Sequence, residues 1–573
     1  MKFEMRICLF LVLLVSLLVP QVPNIQAQDG GDLPIFEAAD CPFSLPADET
    51  DVECGYLIVP ENRSLPDSPT IELAVAIIYS PNPSPEPIIY LEGGPGGSAL
   101  SAVDSWLTSI LRENHDLILL DQRGTGYSSP TLDCPEINED YESEDAATEA
   151  CRDRLLGEGV DLTAYNSAES AADVNDLRLT LGYEQVILYG ISYGTRLALT
   201  VMRDFPEGLH SVVIDGVYPP NVNSRETEVL DGYRALTVLF DTCAADADCG
   251  NAFPNLEDDF YATIEDLNAN PAAVTDPESG EEFDLTGDDL LSAVTQALYD
   301  STLIPALPAA LDAAAQGDFE TYYDLITFGP VPDEGGDDAE SDFGEAEAEE
   351  EAYYLLEEGL SDEEYTELEA LLTDGEWQPV YDFLADLFDY APEELELITD
   401  AVFNLYFGDG GSEESGDEGG VVENDGDSEG MYNSVECREE LPFSSLDAAY
   451  NLLTEENVPE AVAGSIVGVE AQFITCELWG AGVADPIENE AVVSDVPTLV
   501  LSGNFDPVTP PSSGELAAET LSQSYVYTFP STGHGALETF ECPNSIIMSF
   551  LADPLTEPDA SCIQAMTVEF YIP

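Results

Sequence analysis

Val186-Ile187-Leu188-Tyr189-Gly190-Ile191-Ser192-Tyr193-Gly194-Thr195-Arg196-Leu197-Ala198-Leu199 decides how the rest of the chain is read. A short apolar, β-branched run passes into Gly-x-Ser-x-Gly and then into residues of helical character. The stretch therefore predicts a strand, a sharp turn and a helix, with Ser192 at the apex. Glycines at 190 and 194 suit a strained turn whose flanks leave no room for side chains. The hydroxyl then stands at the carboxyl end of a sheet, beside the amino end of a helix whose dipole favours developing negative charge. Three fixed positions of this kind recur by chance in roughly one chain in five of this length, so the reading depends on whether other segments supply the missing parts.

Of the 573 residues, 44% are hydrophobic, which is ample for a large core. Residues 1–27 are expected to be a secretory signal peptide: Lys2 and Arg6 precede the apolar run Ile7 to Val19, and Ala27 is a small residue suited to cleavage. That run is short for a membrane span and no later stretch is read as long enough, so the expectation is a secreted, extracellular chain without stable membrane insertion. Apart from Cys8 in the signal segment, the cysteines are an even set: Cys41, Cys54, Cys134, Cys151, Cys243, Cys249, Cys437, Cys476, Cys542 and Cys562. No Cys-x-x-Cys is present and there are only 3 histidines, which argues against a zinc site and for disulfides in an oxidising compartment. Connectivity stays open, with nearest-neighbour pairing the expectation.

The charge is extreme, with 117 acidic against 13 basic residues and a formal net charge of -104; the sole lysine is Lys2. Nucleic acid and anionic lipid surfaces are excluded as partners by repulsion. The acidic runs are read as solvated surface suited to high salt or colloidal solubility, at a cost in compactness at low salt.

Strands are expected at Tyr56 to Pro60, Ile71 to Ile78, Pro87 to Leu91 and Asp116 to Leu120, with a helix from about Ala99 to Arg112. Ser167 to Leu181 has helical spacing and Gly182 is a natural stop. Strand Ser211 to Gly216 closes a first half, residues 41–219. Pro219-Pro220 breaks the alternation, and residues 220–494 read as an inserted acidic helical cap carrying two disordered low-complexity runs, 333–351 and 408–430. Residues 495–573 return to the first pattern: strand Val496 to Leu501, helix Glu515 to Leu521, strand Tyr525 to Phe529, helix Ser545 to Leu551. The fold class expected is α/β, a mostly parallel sheet covered on both faces and split by the cap.

A serine hydroxyl needs a base within hydrogen-bond reach. His115 and His210 sit just before strands, at the wrong end of a parallel sheet. His534, in Ser531-Thr532-Gly533-His534-Gly535, emerges on the carboxyl side after the strand ending at Phe529. The base needs a carboxylate. Asp506, in Asp506-Pro507-Val508-Thr509-Pro510, lies just past the carboxyl end of its strand, whereas Asp495 is at the other end. The order Ser192, Asp506, His534 is the one such hydrolases use. An oxyanion hole is expected from the Tyr193 N–H and from the loop after Leu91, where Pro95 has no N–H; Gly93, Gly94 and Gly96 remain, and Gly94 is favoured. Without a Gly-Lys-Ser/Thr ending this loop is not a phosphate site.

Gly93-Gly94-Pro95-Gly96-Gly97-Ser98, Asp121-Gln122-Arg123-Gly124-Thr125-Gly126-Tyr127-Ser128, the Ser192 and Asp506 motifs and Gly533-His534-Gly535 together resemble the secreted α/β-hydrolases of the prolyl and tripeptidyl aminopeptidase group, with Cys476-Glu477-Leu478-Trp479 similar to the start of that group's carboxy-terminal region. The resemblance covers roughly Cys41 to Val217 and Ile474 to the end. It implies a cofactor-free α/β-hydrolase fold that removes short pieces, mono- to tripeptide, from peptides with a free amino terminus. Ser192 would be nucleophile, His534 base and Asp506 its orienter. Where proline-releasing relatives carry histidine before Gly-Gly-Pro-Gly, this chain has Glu92, a candidate partner for the substrate's α-ammonium, with a supporting or solvated role as the favoured alternative and cap carboxylates equally eligible for the ammonium. A carboxylic ester hydrolase with the same triad is the alternative, since only the cap selects the substrate. Oligomeric state is not legible.

Overall fold

The computed structural model describes residues 33–45, 50–138, 141, 143–275, 282–327, 329 and 427–573, with isolated positions between 368 and 402. The expected signal segment and acidic run 333–351 lie outside these residues, as does 408–430 up to 426. Two compact units are present, residues 1–331 with 422–573, and residues 332–421. In the smaller unit Leu368, Leu384, Ile398 and Val402 are helical and buried.

The larger unit is built on one sheet. Its strands are β1 (Ile35–Ala39), β2 (Val52–Pro60), β3 (Thr70–Ile78), β4 (Ile88–Leu91), β5 (Leu117–Leu120), β6 (Val186–Ile191), β7 (Leu209–Asp215), β10 (Thr498–Gly503) and β11 (Ser524–Phe529). The spatial order is β1-β2-β3-β5-β4-β6-β7-β10-β11. From β5 to β11 all pairs are parallel, while β1–β2, β2–β3 and β3–β5 are antiparallel. β4, β5 and β10 are buried along their whole length, as expected of parallel strands covered on both faces. The sheet begins at Ile35, upstream of the boundary expected at 41, because β1 pairs along β2 from Ile35↔Ile58 to Ala39↔Cys54.

Apolar side chains on the two faces form separate cores. One takes in Leu188, Leu197 and Val201 and is covered by α1 (Ser167–Leu181) and α2 (Tyr193–Asp204). α1 starts at a side-chain cap, Asn166 accepting from the Glu169 N–H, and stops at Gly182 in the left-handed conformation. The continuous helix expected over Ala99 to Arg112 is instead two pieces, Val103–Thr108 and the 3-10 turn Ile110–Glu113. Ser109 separates them with extended backbone, its hydroxyl accepting from the Leu111 N–H.

Between β7 and β10 the chain forms the cap. α3 (Ser224–Ala245), α4 (Leu256–Ala269), α5 (Gly287–Ala297) and α6 (Leu307–Gln316) enclose their own core, with Leu236, Phe260, Val294 and Leu307 buried. The region is not purely helical: β8 (Ala272–Thr275) and β9 (Glu282–Leu285) make an antiparallel hairpin. α7 (Glu429–Glu439) begins inside the run expected to be disordered through 430, because Ser428 is buried and caps the Met431 N–H. α8 (Leu446–Glu455) packs on α3, and α9 (Ile466–Trp479) follows. Glu460–Trp479 is long and apolar enough to cross a bilayer by length and composition alone, contrary to the expectation that no stretch after the signal segment is long enough. α9 is tied to α7 by the Cys437–Cys476 disulfide, and the Trp479 Nε1–H donates to Ser434. Five disulfides join nearest neighbours: Cys41–Cys54, Cys134–Cys151, Cys243–Cys249, Cys437–Cys476 and Cys542–Cys562. α10 (Pro511–Ala518) and α11 (Glu541–Ala552) complete the second half of the sheet domain.

Candidate active site

Ser192 follows β6 with φ 52° and ψ -124°, a backbone conformation that L-residues rarely adopt. The turn is held by the Ser192 N–H, which donates to the Asp215 carbonyl (3.0 Å), and by the Thr195 N–H, which donates to the Ser192 carbonyl (2.9 Å). Neither flanking glycine is replaceable. A Cβ on Gly194 would lie 1.9 Å from the Leu91 carbonyl oxygen, and one on Gly190 would lie 2.3 Å from that of Gly194. These contacts let the serine turn sit directly against the end of β4 and its glycine loop.

In that loop Gly94 has φ +98° and lines a cavity of 250 Å³ together with Ser192. The Gly93 N–H is engaged, donating to Glu92 Oε1 (2.7 Å). Tyr193 is the first residue of α2, so its N–H is among those a helix leaves without an internal partner. Of the two roles open to Glu92, its contacts are those of a supporting residue. Its carboxylate is buried, accepts from Gly93 and from the Tyr90 hydroxyl (3.2 Å), and is not among the residues lining the cavity. Burial pushes its pKa up, so it shapes the loop from behind and does not face the space above Ser192.

Asp506 follows β10 and is fully buried. Its Oδ1 accepts from the Val508 N–H (2.9 Å) and the Thr509 N–H (2.8 Å), and its Oδ2 from the Thr509 hydroxyl (2.6 Å) and His534 Nδ1 (2.8 Å). Burial works against the ionised carboxyl, but the imidazole and these donors outweigh it and hold the pKa below the ordinary value. Burial likewise opposes the imidazolium, and the Asp506 carboxylate overcomes it, so the His534 pKa is raised. An imidazole held with a proton on Nδ1 keeps Nε2 free to accept one. His115 and His210 lie apart from this pair, His115 Nδ1 meeting the Glu86 carbonyl at 2.9 Å.

Several residues that the sequence reading did not single out complete the arrangement. Asp215, at the end of β7, accepts with Oδ2 from the Ala536 N–H (2.8 Å), the Leu537 N–H (3.2 Å) and the Tyr189 hydroxyl (2.8 Å), tying the His534 loop to the strand beside Ser192. Arg234, on α3, donates to the Asn504 carbonyl (2.8 Å) and the Asp506 carbonyl, so the cap grips the acid loop. The Tyr299 carbonyl accepts from the His534 backbone N–H (2.8 Å), and the Tyr299 ring lies tilted against the imidazole with centroids 4.9 Å apart. The cavity over Ser192 is walled by Arg225 and Glu228 of α3 and by Tyr432 and Glu436 of α7. Arg225 bridges the two carboxylates, 2.6 Å to Glu228 and 2.9 Å to Glu436, and the Tyr218 hydroxyl donates to Glu436 (3.3 Å). The arginines were the available clue: in so acidic a chain the few cations mark where carboxylates are buried and held. Among the described residues no cluster of side chains suited to a metal ion occurs.

The sheet, the serine turn and the acid and histidine loops at its carboxyl edge define an α/β-hydrolase. Residues 86–240 match the family model described as alpha/beta hydrolase fold, and residues 467–562 the one described as TAP-like protein. The chain is 23% identical over 533 residues to serine protease Hip1 of Mycobacterium tuberculosis, covering 89% of this chain and 86% of that protein. To tripeptidyl aminopeptidase of Streptomyces lividans it is 29% identical over 198 residues, covering 30% and 36%. To the Escherichia coli protein YuaR it is 24% identical over 305 residues, covering 48% of this chain and 58% of that one. The last two likenesses thus span less than two thirds of either relative. The chain thus carries an alpha/beta hydrolase region and a TAP-like region, and its relatives support a hydrolase of serine peptidase type.

Proposed function

We propose that the protein is an exported serine aminopeptidase that releases short amino-terminal pieces from peptides through an acyl-enzyme. The Ser192 hydroxyl attacks the scissile carbonyl while His534 takes its proton, and the oxyanion is met by the N–H groups of Tyr193 and Gly94. His534 then gives the proton to the departing amine as the C–N bond breaks. Water, deprotonated by the same imidazole, splits the ester to free Ser192. Asp506 fixes the imidazole and stabilises its charged form. Five disulfides suit an oxidising compartment.

The observation that carries the peptide reading is the charge of the cavity wall. Glu228 and Glu436 face the space above Ser192, and Arg225 between them neutralises only one, so a negative charge remains for a substrate α-ammonium. A cavity of 250 Å³ holds only a short acyl piece. A simple ester has no group for this wall. The test is a hydrolysis panel with Ser192→Ala as control: free and N-acetylated fluorogenic mono-, di- and tripeptides and a short acyl ester. Free-amine peptides are expected to be cleaved, acetylated ones to lose about tenfold or more, and Glu436→Gln to remove that discrimination. Equal cleavage of acetylated peptides, or cleavage of the ester alone, would overturn the assignment.

A further inference from the structure

The cavity over Ser192 is not the largest in the molecule. A second, of 720 Å³, lies on the other side of the histidine loop, lined by Ser301, Thr302, Ser531, Glu541, Val568 and Glu569 among others. Segment 299–302 borders both. Tyr299 lines the first cavity and its ring lies tilted against the His534 imidazole. Two residues on, Ser301 lines the second and accepts from the Gly533 N–H (2.9 Å). In acyl transfer the departing amine must lie within reach of the imidazole that protonates it, so it leaves on the histidine side. The acyl piece stays over Ser192.

One wall of the larger cavity is the end of the chain. The Cys542–Cys562 disulfide fixes its start, and Met566 packs on the sheet core. Val568, Phe570 and Tyr571 pack on the cap core, with the Tyr571 N–H donating to the Pro305 carbonyl (3.0 Å). Between these anchors, residues 567–570 have neither helix nor strand structure, and among the described residues their backbone makes no hydrogen bond. An unpaired backbone segment beside a cavity is a template for an added strand. The charges lining the cavity are carboxylates, Glu541 and Glu569, with no arginine or lysine among them.

We propose that this cavity receives the leaving part of the peptide, the residues after the scissile bond, extended along residues 567–569, with preference for segments that carry a positive side chain. The proposal rests on the peptidase reading and deepens it: a small cavity holds the released piece and a large one holds the remainder. Backbone pairing with the tail gives affinity independent of sequence, and Glu541 and Glu569 add the charge preference.

Two arms separate this proposal from the peptidase reading. In the first, substrates share one amino-terminal piece and differ in leaving group, from a small chromogenic amine to peptides of two to six residues with an amidated end. kcat/KM is expected to rise with length by about tenfold, chiefly through KM, as two or more hydrogen bonds form. Ser545→Trp, which fills the cavity from the exposed face of α11, is expected to erase that rise while leaving the small-amine rate unchanged. In the second, a fluorescent hexapeptide amide with lysine at its second position is titrated into Ser192→Ala protein, with and without Ser545→Trp, and against Glu541→Gln/Glu569→Gln. Binding lost in the first variant and weakened in the second supports the cavity whatever the hydrolysis panel shows. Binding unaffected by Ser545→Trp, or a length dependence that survives it, overturns the proposal even if peptides are cleaved.

Discussion

Asp215 offers the sharpest test of how the site is held. Its carbonyl accepts from the Ser192 N–H, and its buried carboxylate accepts from Ala536, Leu537 and Tyr189, so one residue fixes both the serine turn and the limb of the loop beyond His534. Asp215→Ala leaves two N–H groups and one hydroxyl without an acceptor. At about 1–3 kcal/mol for each buried orphan, the loss is about 3–9 kcal/mol, and a freed histidine loop is expected to lower kcat by on the order of a hundredfold. Asp215→Asn separates the two roles, because an amide oxygen still accepts from Ala536 and Leu537 but carries no charge. Burial opposes the imidazolium; the Asp506 carboxylate overcomes this, and Asp215 adds to it, so the His534 pKa stands above its ordinary value. Removing the Asp215 charge lowers it. Since the imidazole must be neutral to act as base, the acid limb of the kcat/KM profile is expected to move to lower pH in Asp215→Asn, with melting temperature far less affected than in Asp215→Ala. An unmoved acid limb in Asp215→Asn, together with wild-type melting in Asp215→Ala, would refute the reasoning.

Asp506→Asn removes the carboxylate that fixes the Nδ1 proton, and single-turnover kinetics are expected to show acylation slower by about 10²–10⁴-fold with little change in substrate KM. Arg196, fully buried on α2, pairs with Glu440 (3.1 Å) and lies 3.5 Å from Glu439, both at the end of α7. Arg196→Leu strands two buried carboxylates, so a destabilisation of about 3–5 kcal/mol is expected by chemical denaturation, and Glu439→Gln/Glu440→Gln in the same chain is expected to recover much of it. With 117 acidic residues against 13 basic, the melting temperature is expected to climb from low to molar salt; a flat curve would mean that self-repulsion costs the fold little.

How much of this was legible in the sequence follows from how local each signal is. The serine turn, the acid and the histidine each sit at the carboxyl end of a strand that announces itself by its own apolar run, so their place in the fold could be read from neighbours a few residues away. Glu92 was read two ways because sequence adjacency to Gly93 does not say where its carboxylate points; the glycine turn directs it back onto the Gly93 N–H and the Tyr90 hydroxyl, the supporting role. Glu228 and Glu436 were illegible among so many acids because their selection is tertiary. They are brought together by Arg225 from helices more than 200 residues apart, α3 before the cap's acidic insert and α7 after it. The start of α7 was lost to composition: the run ending at Gly430 is polar and glycine-rich, yet the Ser428 N–H donates to Gly96 (3.0 Å) and the Gly430 N–H to Leu132 (2.9 Å), contacts no local pattern encodes.

Those contacts also explain why an acidic chain can hold so many carboxylates at its centre. α7 brings Glu436, Glu439 and Glu440 against the helix that follows Ser192, and only Arg196 and Arg225 answer them there. Every arginine from Arg63 onward is engaged in hydrogen bonds within the chain. A free-amine peptide thus approaches a surface with no unengaged cation and enters a cavity whose wall is one positive charge short. The two effects differ in range. Attraction by the surface is screened within about 8 Å at physiological ionic strength, while an ammonium seated between Glu228 and Glu436 is largely shielded from salt. Salt is therefore expected to act on the encounter rate and to leave discrimination between free and acetylated amino termini in place, as the proposed aminopeptidase activity requires.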